Sequence, residues 1–214
     1  MKQAELIPSI SKQDWQKKKF HFPKKTINVA TLFSGIGAVE HALKRLKLKS
    51  NIVFAGDIDP HVKDAYFANY NINQEDWHDD VTEFSAKKYR GKVDLLVGGS
   101  PCQSFSMAGR RGGLDDARGT LFYDFIRVVQ ESNPKIFIFE NVRGVINHDG
   151  GNTWRVMKDI FNSLSNYSWT FKILNSADYG MPQSRNRLFV VGIRKVVKGL
   201  RNVNKPFLFP QSIS

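Results

Sequence analysis

The single cysteine of this chain, Cys102, ends the run Asp94-Leu-Leu-Val-Gly-Gly-Ser-Pro101 and is followed by Gln103, Ser104 and Ser106. A lone cysteine often serves as a small core hydrophobe. Here glycines, a proline and polar residues flank it, which puts the thiol on a loop where an apolar strand stops. A thiolate in such a place is a nucleophile. A second apolar run, Lys135 to Phe139, delivers Glu140-Asn-Val142 in the same way. The strands of a parallel sheet end on one edge, where ligands bind, so Cys102 and Glu140 are expected to face one crevice. The competing reading of Glu140 is an acid that caps the next element. Gln183-Ser-Arg185-Asn-Arg187 leads into the last apolar run. If Arg187 opens that strand, Arg185 and Arg187 share a face. Two guanidiniums there suit a carboxylate, a phosphate or a polarised carbonyl.

A second set of residues has the spacing of a nucleotide-like site. The β-branched run Ile27 to Phe33 meets Ser34-Gly-Ile-Gly37, and Val39, Ala42, Leu43 and Leu46 then recur at helical spacing. Strand, glycine turn and helix let a ligand approach free backbone N–H groups. The third glycine of a dinucleotide fingerprint is absent, since position 40 is Glu40. Asp57 lies about 20 residues further on, at the end of a second strand, where an acid can accept from both ribose hydroxyls. Asp59 precedes Pro60 and is placed to cap the next helix. Asp80-Val81, expected after a short strand, offers a carboxylate to an adenine amino group or serves a surface loop or cap.

These groups need a scaffold of alternating strands and helices. Further helices are expected at Leu121 to Val129 and Thr153 to Leu164, and the last strands at Ser168 to Asn175 and Leu188 to Ile193. Residues 107–120 hold glycines and arginines without periodicity and read as a mobile lid. Residues 1–25 carry seven lysines against Glu5 and Asp14. The net charge of +12 suggests a polyanionic partner, most often nucleic acid; the alternative is a solubilising surface. One cysteine makes no internal disulfide, which fits a reducing compartment. No apolar run reaches the roughly 20 residues of a membrane span, and a cytoplasmic protein is expected.

The ordered set Phe33-Ser-Gly-Ile-Gly37, Asp57-Ile-Asp59, Asp80-Val81, Pro101-Cys102-Gln103, Glu140-Asn-Val142 and Gln183-x-Arg185-x-Arg187 resembles the C5-cytosine DNA methyltransferase family over residues 27–194. The resemblance implies a Rossmann-like α/β fold of the S-adenosylmethionine-dependent type, with a mostly parallel sheet and helices on both faces. It implies S-adenosyl-L-methionine as methyl donor, held by Phe33, Ser34, Gly35, Gly37, Asp57, Ile58, Asp80, Val81, Pro101 and Leu121. No metal is implied. Cys102 would attack carbon 6 of a cytosine flipped out of double-stranded DNA, Glu140 would serve ring nitrogen 3, Arg185 the base carbonyl, and Arg187 would support it. The lid would close over the base. A tRNA-methylating branch shares these motifs. A nucleotide-dependent oxidoreductase would need neither Pro-Cys-Gln nor Glu-Asn-Val.

Three positions depart from the family pattern: Thr31 where an acid is usual, Ala38 where a glycine is usual, and Asp57 in place of glutamate. A shorter acid reaches ribose less easily, so cofactor affinity is the property this departure touches. The expected organisation is a basic extension at 1–26, the catalytic domain at 27–194, and at 195–214 the start of a linker toward a target recognition domain. That domain and two further family motifs have no counterpart in these 214 residues. The expectation is therefore part of a longer chain, one half of a split enzyme that needs a separate target-recognition subunit, or an incompetent fragment. A restriction-modification setting, with a cognate restriction endonuclease, is the implied context.

Overall fold

The computed structural model describes residues 25–101, 121–196 and 207–212. Cys102, the 107–120 lid and most of the 1–26 extension lie outside the described residues. Ten elements follow in order: β1 (Ile27–Leu32), α1 (Ala38–Arg45), β2 (Ser50–Phe54), α2 (Pro60–Asn69), β3 (Leu95–Gly98), α3 (Leu121–Ser132), β4 (Ile136–Val142), α4 (Asn152–Ser163), β5 (Tyr167–Asn175) and β6 (Asn186–Arg194). Among the described residues the strands form one sheet in the order β2-β1-β3-β4-β6-β5. β1 to β4 run parallel, whereas β6 is antiparallel to both β4 and β5. The short strand expected before Asp80 is reduced to a single bridge, Ala55 to Trp77.

Period-two alternation sorts the strand side chains onto two faces. Ala30, Leu32, Leu96, Phe137, Phe139 and Val190 point to one face and meet Phe122 and Phe125 of α3 and Met157 and Phe161 of α4 in the main core. Phe161 anchors that layer, with ring contacts to Phe122, Phe137, Phe139 and Trp169. On the other face, Thr31 meets α1 through Glu40, and Glu40 meets α2 through Tyr66. Helices thus cover both faces, as the resemblance implied. Each buried aromatic contributes roughly 1.5–3 kcal/mol of burial.

The buried residues of α1 are Glu40 and Leu43, while Ala42 and Leu46 are exposed. The apolar spacing therefore located the helix but not its inner face. A carboxylate can be buried there because two hydroxyls donate to it: Thr31 at 3.0 Å and Tyr66 at 2.7 Å, both to Oε1. Burial, and then the Glu40 charge, push the Tyr66 phenol far up, which keeps it a donor. The helix starts from Gly37, whose φ of +81° favours glycine. A Cβ there would lie 2.1 Å from the Tyr70 ring, whose hydroxyl donates to the Gly37 carbonyl. Gly37→Ala combines a left-handed penalty with a clash, and we expect it to cost about 2–5 kcal/mol in urea unfolding; an unchanged midpoint would show that the turn relaxes freely.

Candidate active site

The carboxyl ends of β1 to β4 form one edge of the sheet, and antiparallel β6 begins at that same edge. Its register pairs Val142 with Arg187 and Glu140 with Phe189. Arg187 therefore starts its strand beside the end of β4, and its Nε lies 2.7 Å from Oε1 of Glu140. Both side chains are partly buried, at 20% and 35% exposure, so the pair is less screened than a surface ion pair. Arg185 lies one residue before β6 and is exposed. Its amide donates to Oδ1 of Asn175, the end of β5, at 2.9 Å. Of the two arginines, Arg187 is the one that meets Glu140.

The strand that leads to Cys102 passes this pair at very short range. A Cβ on Gly99 would lie 2.8 Å from both the carbonyl oxygen and Oε2 of Glu140. Only a glycine lets the chain run so close to the carboxylate. The next residue is also fastened: Asn141 Nδ2 donates to the Ser100 carbonyl at 3.1 Å, with both residues buried. Asn141 in turn accepts from the Val142 amide. The Glu-Asn-Val run thus presents a carboxyl and, with its middle residue, grips the backbone two positions before Cys102. The Ser100 hydroxyl is buried and has no partner among the described residues.

Around the glycine turn, Phe33 adopts φ of +54°. That is uncommon for a bulky residue and is characteristic of functional sites. The turn is braced by side chains. Ser34 Oγ bonds to Thr31 Oγ1, donates to the Gly56 carbonyl and accepts from the Gly56 amide. Asp57 Oδ2 accepts from the Gly35 amide at 2.9 Å, and its Oδ1 accepts from the Asp59 amide at 3.2 Å. Asp57 thereby clamps the turn, and lone pairs on both oxygens are left for a ligand's hydroxyls. Asp59 caps α2 by accepting from the His61 amide, as its position before Pro60 indicated. Ile36, which follows Gly35, and Ile58, which follows Asp57, stand 71% and 75% exposed, an apolar surface of the kind a purine covers.

Asp80 sits on a rigid floor. Burial, with Lys88 next in effect, pushes His78 down to about 4, so the ring is neutral near pH 7. It stacks on Phe84 with centroids 3.8 Å apart and lies 3.2 Å from the Tyr89 hydroxyl, which donates to Asp76. Asp79 is occupied by Lys63 and by the Trp77 indole. Asp80 Oδ1 accepts from the amide and hydroxyl of Thr82, which aims the carboxylate. Val81 packs against the main core and its carbonyl accepts from Arg127. Leu121 begins α3 and is half-buried; Pro101 is exposed. Of the two residue sets, the structure brings the described members to one edge; Cys102 lies outside the described residues. It also supplies braces that sequence reasoning did not find: Glu40, Asn141, and the contact of Gly99 with Glu140. Asn141 was legible as part of its motif, and Gly99 as one of two glycines before Ser100-Pro101. Glu40 carried no signal.

The description of the matching family model is C-5 cytosine-specific DNA methylase, and it covers residues 27–213. The orphan methyltransferase M.SPRI of Bacillus phage SPR is 44% identical over 169 residues, which are 79% of this chain and 38% of that protein. The type II methyltransferase M.HhaI of Haemophilus parahaemolyticus is 37% identical over 163 residues, or 76% of this chain and 48% of that protein. The chain thus spans less than half the length of these relatives. Among solved structures, the Dnmt2 methyltransferase of S. pombe superposes with a TM-score of 0.61 at 22% identity, covering 84% of this chain and 53% of that one; this likeness concerns the fold.

Proposed function

Because this chain belongs to the C-5 cytosine-specific DNA methylase family, we propose that it supplies the catalytic core of a DNA cytosine-5 methyltransferase. S-adenosylmethionine is the methyl donor of that family. The turn and acids described above fit it: a strained, braced glycine turn, a carboxylate at the end of β2, and two exposed isoleucines. Asp57 would hold the ribose, Asp80 the adenine amino group, and Ile58 the adenine face, with Phe33, Gly35 and Gly37 shaping the approach.

The observation that carries the reading is the Glu140–Arg187 pair set against the strand that leads to Cys102. Carbon 5 of cytosine is a poor nucleophile. Attack by the Cys102 thiolate on carbon 6 pushes the ring electrons toward carbon 5. Glu140 meets ring nitrogen 3 and holds a proton there, which keeps charge from building on the ring. Arg187 occupies Oε1 and fixes the carboxyl's orientation, while Oε2 lies against Gly99. Arg185, exposed at the same edge, would steady the base carbonyl. S-adenosylmethionine, if held at the β1–β2 turn, would supply an electrophilic methyl group for carbon 5 and leave as S-adenosylhomocysteine. Transfer of the carbon 5 proton to solvent and cleavage of the carbon 6–sulfur bond would then restore the aromatic ring and free the Cys102 thiolate; thiols suit this because they both attack and leave well. The base must leave the duplex to reach the thiol. A restriction-modification setting fits the type II methyltransferases among the relatives.

Trapping tests this. With S-adenosylmethionine and duplex DNA containing 5-fluorocytosine, the proton at carbon 5 is replaced and the adduct cannot resolve. A covalent complex is expected with the chain alone or with an added recognition subunit, and none with Cys102→Ser. Absence of the adduct under both conditions overturns the proposal. Adduct formation on tRNA in place of DNA would favour the RNA-methylating reading.

A further inference from the structure

The opposite edge of the sheet, where β1 to β4 begin and β6 ends, is lined with cations. Lys25 precedes β1, Lys49 precedes β2, Lys92 precedes β3, Lys135 precedes β4, and Arg194 and Lys195 close β6. Asp94 at this edge is occupied, because it pairs with Lys135 and accepts from the Asn28 amide. A row of lysines alone is commonly a solvated face. Here it borders a built cavity of about 450 Å³ lined by Asn133, Ser165, Asn166, Arg194, Lys195 and Val196. Among the described residues, the lining holds two cations, two amides and a hydroxyl, and no acid. Among the described residues, Arg194 donates from Nη1 to the Asn133 carbonyl at 2.8 Å, while its Nε is buried and finds no partner. A buried N–H of a charged group left unsatisfied is costly, and an anion in the cavity would satisfy it. Arg90 bears on the same place: burial pushes the neighbouring Tyr167 phenol up, and the Arg194 and Arg90 charges both pull against that rise.

We propose that this basal edge is a second nucleic-acid contact, in which the Arg194–Lys195 cavity seats one backbone phosphate and the flanking lysines follow the strand. It lies across the sheet from Glu140, so the contact is independent of base chemistry. A phosphate fits because guanidinium and ammonium donors converge with amides around a pocket free of acids. A polyanion rather than a lone ion fits because cations continue along the starts of β1 to β4. The inference rests on the nucleic-acid substrate of the proposed function, and a different measurement tests it.

The test is equilibrium binding of the full chain to a fluorescent duplex of arbitrary sequence, read as a function of salt. Arg194→Gln/Lys195→Gln is expected to weaken binding about tenfold at low salt and to shrink the salt slope by about 0.9, the value for one phosphate. Lys195→Gln, an exposed site, is expected to show part of this loss and guards against misfolding of the double variant; melting curves report the fold. S-adenosylmethionine binding should be unchanged in both. Wild-type slope and affinity in a folded variant overturn the inference. So does protection of the wild type by millimolar inorganic phosphate with no change in duplex binding, since that is a small-anion site alone. Failure of 5-fluorocytosine trapping with the basal salt effect intact counts against the catalytic proposal and leaves this one standing.

Discussion

Glu140→Gln should slow covalent trapping by about 10²- to 10⁴-fold, the usual range for loss of a positioned acid–base group, while S-adenosylmethionine binding stays at the wild-type level. The amide keeps the shape of the side chain and can accept from Arg187, so β4 and β6 should pair as before. What it lacks is an exchangeable carboxyl proton for ring nitrogen 3. The separation is favourable because Glu140 sits at the end of β4, whereas the proposed ribose-binding Asp57 and the glycine turn it clamps lie at the ends of β1 and β2. The measurement is the single-turnover rate of adduct formation, in the assembly that yields an adduct, beside calorimetry with the methyl donor. A variant that traps at the wild-type rate would remove Glu140 from the chemistry. One that loses donor binding as well would make its role structural.

Gly99→Ala is the second large effect, and it adds a single methyl group. The new carbon would sit 2.8 Å from two atoms of Glu140, one of them backbone. Either β3 or the carboxylate must yield. A displacement near 1 Å at a reacting group costs about 100-fold in rate, and overpacking of this kind costs about 1–3 kcal/mol of stability. Gly98→Ala is the matched control. Its Cβ would meet the Phe125 ring at 2.9 Å and Leu32 at 3.3 Å, so its cost falls on the core. We expect comparable melting losses for the two variants and a collapse of trapping in Gly99→Ala alone. Equal trapping rates would show that the approach of Gly99 to Glu140 is incidental.

Local signals carried much of this architecture. The β-branched run and the glycines placed β1 and α1, Pro60 placed the start of α2 with Asp59 as its cap, and the aromatic periodicity placed α3 and α4. The direction of β6 was not legible, because hydrophobic alternation is the same whichever way a strand runs. Direction and register decide which arginine reaches Glu140, and so Arg185 and Arg187 could not be ranked by spacing. Glu40 escaped notice for another reason. Its donors, Thr31 and Tyr66, lie 9 and 26 residues away, and a carboxylate at a helix start ordinarily reads as a surface charge. Thr31, which looked like a lost acid, proves to be hydrogen-bonded to one. Asp57 was found by its distance from the turn, yet its bond to the Gly35 amide belongs to the fold.

The strand order also sets a timetable. β4 receives its second neighbour from β6, with β5 intervening in sequence, so one side of β4 stays open until residue 194 has been made. At a synthesis rate of about 5–20 residues per second, that interval is roughly 3–10 s. Until it closes, β4 offers an unpaired edge to other chains. Arg187 reaches Glu140 only when the interval ends. Among the described strands, the part of the sheet that holds the proposed chemistry is thus the last to be assembled.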